Sequence, residues 1–354
     1  MKKVVLVLML AVALTALASC DGGKTTLKVF MPTEYIDEDL VAAFEDEFDV
    51  NVDIIAFDSN EVAIPQVEVN SYDVVIPSDY AIEELASKGL LEDIVWEDIT
   101  EMSQSDLDTS LISLINSIDG FNILNYAVPY FWGNVGMLYD STKVTLSELE
   151  AEGWNALNTV NDDVMFYDSS RDMVMVALKA LYGGSVDINN PTTEQLAAAE
   201  AWLIGSDRTS DVVYASDEIF DDMLVSGNTK YAIAVSYSGD ATYLMSENED
   251  LGYYVPTNGT NVWLDAFVVP KNAENKALAY EFINYFVNAE VMYANSDYVG
   301  YTAPRTDVVD LIIADEYYPE ASYRMSVNQN DSVFRYNADN KVAIAELWAR
   351  VRAS

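Results

Sequence analysis

The chain has 354 residues, 51% hydrophobic and 22% charged. That composition excludes a disordered tail, and the length makes two lobes the first expectation, since single cores stop growing near ~250–300 residues. The balance of 18 Lys+Arg against 59 Asp+Glu, a formal charge of −41, excludes nucleic-acid partners and favours small cations. His is absent and Cys occurs once, which removes Ser-His-Asp and Cys-His catalysis, His-ligated zinc or haem, disulfides and every cysteine cluster.

Lys2 and Lys3 open the chain, and an apolar run from Val4 to Leu17 follows, interrupted only by Thr15. This is a secretory signal rather than a structural element. Leu17-Ala18-Ser19-Cys20 resembles a bacterial lipobox, in which Cys20 receives lipid and becomes the mature N-terminus. The alternative is an ordinary signal peptide with a chance cysteine. Residues 1–19 are thus read as signal peptide and 20–26 as a lipidated tether, a diacylated cysteine carrying the two chains that stable anchoring needs. No later apolar run reaches the ~18 residues of a membrane span. The protein is expected at the periplasmic or extracellular face of the bacterial cytoplasmic membrane.

The body alternates strands and helices. Leu27–Met31 is a short strand, and a helix follows over 37–48 with Leu40, Val41, Phe44 and Phe48 on one stripe. Val52–Phe57 and Tyr72–Pro77 are further strands, the latter nearly all apolar as in a parallel sheet buried on both faces. A helix over 81–88 ends at Gly89. This βαβαβ order marks an α/β lobe. Thr192 and Gln195 form a capping box that opens a helix through Leu203. Glu218–Val225 is a helix ended by Gly227. Tyr253–Pro256 and Asn261–Val269 flank Thr257-Asn258-Gly259-Thr260, and Asn-Gly between strand-like runs predicts a hairpin. Helices over 277–287 and 341–352 complete the chain. No repeat of 20–50 residues is present, which argues against solenoids and propellers.

Positive signs of enzymatic chemistry are lacking. Phosphate-binding Gly-rich loops, an Asp-rich calcium loop and a Gly-x-Ser-x-Gly elbow are all missing, and no metal or cofactor is implied. Paired carboxylates could serve a hydrolase, but among 59 acids some pairs arise by accident. The 23 Tyr and 6 Trp are more informative, because several follow strands. Tyr35 follows the first strand, Ser78 and Tyr80 the third, and Tyr237 the run Tyr231–Val235. Trp263 and Asp265 are two apart on one strand and share a face. Tyr301 lies in Val299-Gly300-Tyr301-Thr302-Ala303-Pro304. Ligands in open α/β sheets bind beyond the carboxyl ends of strands. Aromatic faces beside carboxylates suit an ammonium group, through ring quadrupole and charge pairing. Each tyrosine taken alone reads as a half-buried packing residue with its hydroxyl outward, and it is the set of strand-end positions that favours a site.

Six segments in order resemble the spermidine/putrescine-binding proteins of bacterial ABC importers. They are Thr33-Glu34-Tyr35, Ser59-Asn60-Glu61, Tyr72 through Tyr80, Val128 through Gly133, Trp263-Leu264-Asp265, and Gly300-Tyr301 before Pro304. The resemblance implies a two-lobed periplasmic-binding-protein fold of the type II kind, α/β, with a ligand cleft between lobes. Lobe one is then 27–130 plus 265–305, and lobe two 131–264 plus 306–354. It further implies a monomer that captures a polyamine and delivers it to a membrane permease. Carried over residue by residue, it implicates Glu34, Tyr35, Ser78, Tyr80, Asp172, Trp263, Asp265 and Tyr301 in ligand contact. Tyr237 replaces a family Trp that aligns near Ser236, and Gln329 or Arg335 is the C-terminal polar contact. Pro32 stands where the family has an aromatic, and Ser169 where it has a second carboxylate. A relative of this fold that binds a sugar, an amino acid or ferric ion remains open, as does a carboxylate-based surface hydrolase.

Overall fold

A computed structural model describes residues 23–205, 208, 211–315 and 319–354. The segment expected to be a signal peptide, residues 1–19, and Cys20 lie outside these. Nine strands are present among the described residues: β1 (Thr26–Pro32), β2 (Asn51–Phe57), β3 (Val74–Val75), β4 (Ala127–Asp140), β5 (Val164–Tyr167), β6 (Val212–Ala215), β7 (Ile233–Tyr237), β8 (Leu251–Tyr254) and β9 (Val262–Val268). They follow the order β2-β1-β3-β9-β4-β7-β5-β6, with β8 also on β4.

The centrepiece is β4, whose fourteen residues are all buried. Its first half, residues 127–134, pairs with β9, while residues 135–139 pair with β7 and residues 137–140 with β8. One strand therefore belongs to two α/β halves. In the first half β1 runs parallel to β2 and β3. In the second β5 runs parallel to β6 and β7. Helices cover both, as buried parallel strands require. Among the described residues no helix is long and apolar enough to cross a membrane.

Local signals set most helix ends. Asp37 caps the helix Glu38–Phe48 by accepting from the Asp39 amide. The Thr192–Gln195 capping box opens the helix Thr193–Ile204 as the sequence predicts. The helix predicted over 81–88 begins earlier, at Asp79, with Ser78 in the N-cap position, and Gly89 follows its end with φ +70°. The helix expected over 218–225 stops at Asp222, whose carbonyl accepts from the Lys230 amide and whose carboxylate accepts from the Tyr231 hydroxyl.

Two strand expectations need correction. The third strand was expected over 72–77, yet the ladder is only Val74–Val75. Asp73 is used as an anchor: its side chain accepts from the amides of Lys28, Glu274 and Asn275. Pro77 has no N–H to donate, and Ser78 bridges Asp265 of β9 instead of continuing the β1 pairing. The predicted hairpin does not form either. β8 and β9 each run antiparallel to β4, on successive stretches of it, and do not pair with one another. The Asn258-Gly259 segment steps out between them and receives the C-terminal loop. Trp154 Nε1 donates to the Gly259 carbonyl at 2.9 Å, and Asn330 Nδ2 to the Thr257 carbonyl at 2.8 Å. Gly259 has φ +96°, and a Cβ there would lie 1.9 Å from the Asn330 carbonyl oxygen, so glycine is required for two reasons.

Candidate functional site

The parallel strands of both halves end facing a shared group of side chains. From the first half come Tyr35, just past β1, and Ser78, just past β3. From the second come Tyr167 and Asp172, at the end of β5 and after it, and Tyr237 and Asp240, at the end of β7 and after it. Trp263 and Asp265 reach the group from β9, and Tyr301 follows the helix Ala289–Val299. Gly300 caps that helix in the left-handed region, which swings the chain back towards β4, where Thr302 bridges Trp132.

The rings form a continuous series in edge-to-face contact, with centroids 5.4 Å apart for Tyr35–Tyr301, 5.3 Å for Tyr301–Trp263, 5.8 Å for Trp263–Tyr237 and 4.8 Å for Tyr237–Tyr167. Edge-to-face rings leave negative π faces available to a cation. The approach of Tyr301 to the second half depends on Gly239, where an added Cβ would lie 2.4 Å from the Tyr301 ring.

Three carboxylates are threaded through the rings. Asp265 accepts from the Tyr35 hydroxyl at 2.9 Å and faces Ser78 across a backbone bridge. Asp172 accepts from Ser169 Oγ at 2.6 Å and the Tyr237 hydroxyl at 2.8 Å. Asp240 accepts from the Tyr301 hydroxyl at 2.6 Å, a bond between the two halves. Burial pushes the Asp265 and Asp240 carboxyls up to about 6, against the pull of these hydroxyl donors. Burial also raises Asp172, opposed by Ser169, Tyr237 and the Arg171 charge. One oxygen of Asp265 and one of Asp172, both Oδ1, are buried without a hydrogen-bond partner, as is the Trp263 indole N–H. Buried polar atoms are almost always paired, so such a concentration points to a ligand position. The arrangement offers anionic acceptors and ring faces, a combination suited to an ammonium group.

The remaining expected residues divide. Tyr80 lies at one end of the group, its hydroxyl donating to Glu61 at 3.2 Å. Glu34 adjoins Tyr35 in sequence but is exposed, on a left-handed residue with φ 53°. Neither C-terminal candidate joins the ring series: Gln329 is exposed beside Thr109 and Ser113, and Arg335 is bound by Glu83 at 2.7 Å. Asp240, Tyr167 and Arg171 were not anticipated. Tyr167 ends β5 and Asp240 follows β7, so the same strand-end rule identifies them. A deeper ring of contacts fixes Tyr35: its carbonyl accepts from the Tyr130 hydroxyl at 2.6 Å, which in turn accepts from Asn295 at 2.8 Å. Among the described residues no three acidic side chains converge closely enough to hold a metal ion.

Comparison with known proteins identifies the family. The family model for bacterial extracellular solute-binding proteins matches residues 39–321. The putrescine-binding periplasmic protein PotF of Escherichia coli is 25% identical, the match covering 89% of this chain and 88% of PotF. A putrescine/agmatine-binding protein of Pseudomonas aeruginosa is 27% identical over 85% of both chains. Among solved structures, the spermidine/putrescine ABC transporter substrate-binding protein PotD of Streptococcus pneumoniae superposes with a TM-score of 0.75 at 25% identity, covering 93% of this chain and 99% of the other. The Tp0655 lipoprotein of Treponema pallidum shares the fold, with a TM-score of 0.73 at 20% identity, covering 93% and 100% of the two chains. With β4 joining two α/β halves around a common cleft, and the family model matching most of its length, the chain belongs to the bacterial extracellular solute-binding proteins.

Proposed function

We propose that this protein captures a polyamine between two lobes, 27–130 plus 265–305 and 131–264 plus 306–354, and delivers it to an ABC permease. It acts as a monomer, by binding and not by catalysis. The observation that carries the reading is the pair of buried carboxylate oxygens without partners, on Asp265 and Asp172, set within a series of aromatic rings. An alkyl chain stacks on the rings while its ammonium groups take the carboxylates, and each charge-assisted bond is roughly twice as strong as a neutral one. The names of the relatives in Escherichia coli and Pseudomonas aeruginosa support the same ligand class. In this reading Tyr35, Ser78, Tyr80, Asp172, Tyr237, Trp263, Asp265 and Tyr301 contact the ligand, joined by Tyr167 and Asp240. Glu34 reaches it only if the loop before Tyr35 turns inward.

Calorimetry with putrescine, spermidine, glucose, a panel of amino acids and ferric citrate tests the reading. Saturable heat with a polyamine alone is expected; heat with only one of the other solutes, or with none, refutes it. Lipid on Cys20 anchors the protein in this proposal. Cys20→Ala should move it from the detergent phase to the aqueous phase with ligand binding retained, and persistence in the detergent phase would overturn the anchor.

A further inference from the structure

The site contains one buried cation. Arg171, in the first turn of the helix Ser170–Tyr182, is buried and directly precedes Asp172. Its guanidinium carbon lies 3.9 Å from the centre of the Tyr80 ring and 5.4 Å from that of Phe334. Its terminal nitrogen meets Glu61 at 3.2 Å, and its Nε is buried without a partner. Tyr80 and Glu61 belong to the first half of the fold and Arg171 to the second, so this side chain spans the cleft. The Tyr80 face, which an ammonium could otherwise use, is covered by a guanidinium instead. Glu61 is paired by the same group, so beside Asp172 the guanidinium takes up both the ring face and the carboxylate that a further ammonium would need.

Resting on the polyamine reading, we infer that Arg171 is a specificity-determining end-stop: it limits the ligand to two ammonium groups, one at Asp265 and one at Asp172, and rejects a third beyond Asp172. Two observations agree. The orphaned carboxylate oxygens number two among the described residues, matching a diamine. A third ammonium extending past Asp172 meets a like charge held in a buried setting, where Arg cannot shed its proton to escape the repulsion. Rejection by a built-in like charge is a common device of specificity.

The test compares putrescine with spermidine by calorimetry in wild type, Arg171→Gln and Glu61→Gln, with folding checked by thermal melting. Wild type should favour putrescine by roughly tenfold or more, since like-charge juxtaposition is costly. Arg171→Gln should bring that ratio below about threefold, less than one step of the usual affinity arithmetic. Glu61→Gln, at an exposed position, removes the balancing charge and should leave the ratio at or above the wild-type value even where Arg171→Gln folds poorly. Equal weakening of both ligands by Arg171→Gln, with the ratio kept, would make Arg171 a closure strut and overturn the inference. A fall of the ratio in Glu61→Gln, or a wild type that favours spermidine, would overturn it as well. Wild type that binds neither polyamine refutes the underlying reading together with the end-stop, a result distinct from binding with the wrong ratio.

Discussion

The two walls of the cleft hold their carboxylates differently. On the first, Asp265 sits within strand β9, one oxygen held by the Tyr35 hydroxyl. On the second, Asp172 and Asp240 lie in the first turns of the helices Ser170–Tyr182 and Ser238–Glu247. A helix N-terminus favours negative charge by roughly 0.3–1 kcal/mol, support that a strand does not supply. Yet Asp265 and Asp240 are both pushed up to about 6. Burial therefore outweighs the helix dipole, and the placement of hydroxyl donors does the rest. Both walls hold acids whose charge is costly in the ligand-free protein, and in the proposed reading an arriving ammonium relieves that cost.

The sharpest way to break this comparison is Asp265→Ala. Truncating one partner of a buried pair costs about 2–5 kcal/mol, or roughly 30- to several-thousand-fold in affinity. Asp265→Asn separates charge from shape. Spermidine and putrescine binding within threefold of wild type, in a normally folded variant, would remove Asp265 as an amine partner.

Acidification acts on both walls at once. Asp265 and Asp240 both take up protons near 6, and an ammonium at Asp265 must displace one. Affinity should therefore fall by about tenfold between pH 7 and pH 5, about tenfold per unit below the pKa of that acid. Stability of the ligand-free protein responds with the opposite sign. An acid whose folded pKa lies above its unfolded value of ~3.9 destabilises the fold at pH values above that pair, so these two groups favour stability as pH falls from about 6 towards 4. Calorimetry across this range, paired with melting curves, checks both. Affinity that stays level to pH 5 would show that neither acid meets the ligand's charge.

A smaller effect is expected at Asp172→Asn, about tenfold in affinity, because Asp240 remains on that wall and Ser169 and Tyr237 can still bond the amide. A loss equal to that of Asp265→Ala would erase the difference between the walls. Without ligand, Asp240→Asn should raise Tm by on the order of a few degrees by removing an unfavourable charge. A lowered Tm would mean that the Tyr301–Asp240 bond stabilises the closed cleft more than burial of the acid costs. The smallest signal is optical: Trp263 fluorescence should change on putrescine addition and not on glucose addition, and Trp263→Phe should abolish the change.

Local pattern alone determined a good part of this protein. The Thr192–Gln195 capping box, the amphipathic helix after β1 and the sharing of one face by Trp263 and Asp265 depend on residues within a few positions of each other, and each is present as read. The strand-end tyrosines were legible for a similar reason, since chain direction in a parallel sheet sends every such loop to one edge. Tertiary structure decided what periodicity cannot carry. Whether the Asn258-Gly259 segment turns a hairpin or steps along a third strand depends on β4, more than a hundred residues earlier in the chain. The Tyr35–Asp265 bond joins residues 230 apart and the Arg171–Glu61 bond residues 110 apart. Glu34 is exposed while the unanticipated Asp240 joins the group, because adjacency in sequence to a site residue does not set the direction of a side chain, whereas the bond to Tyr301 does. Such contacts form only when both halves close on a common core, and their energies belong to that closure rather than to any segment of the sequence.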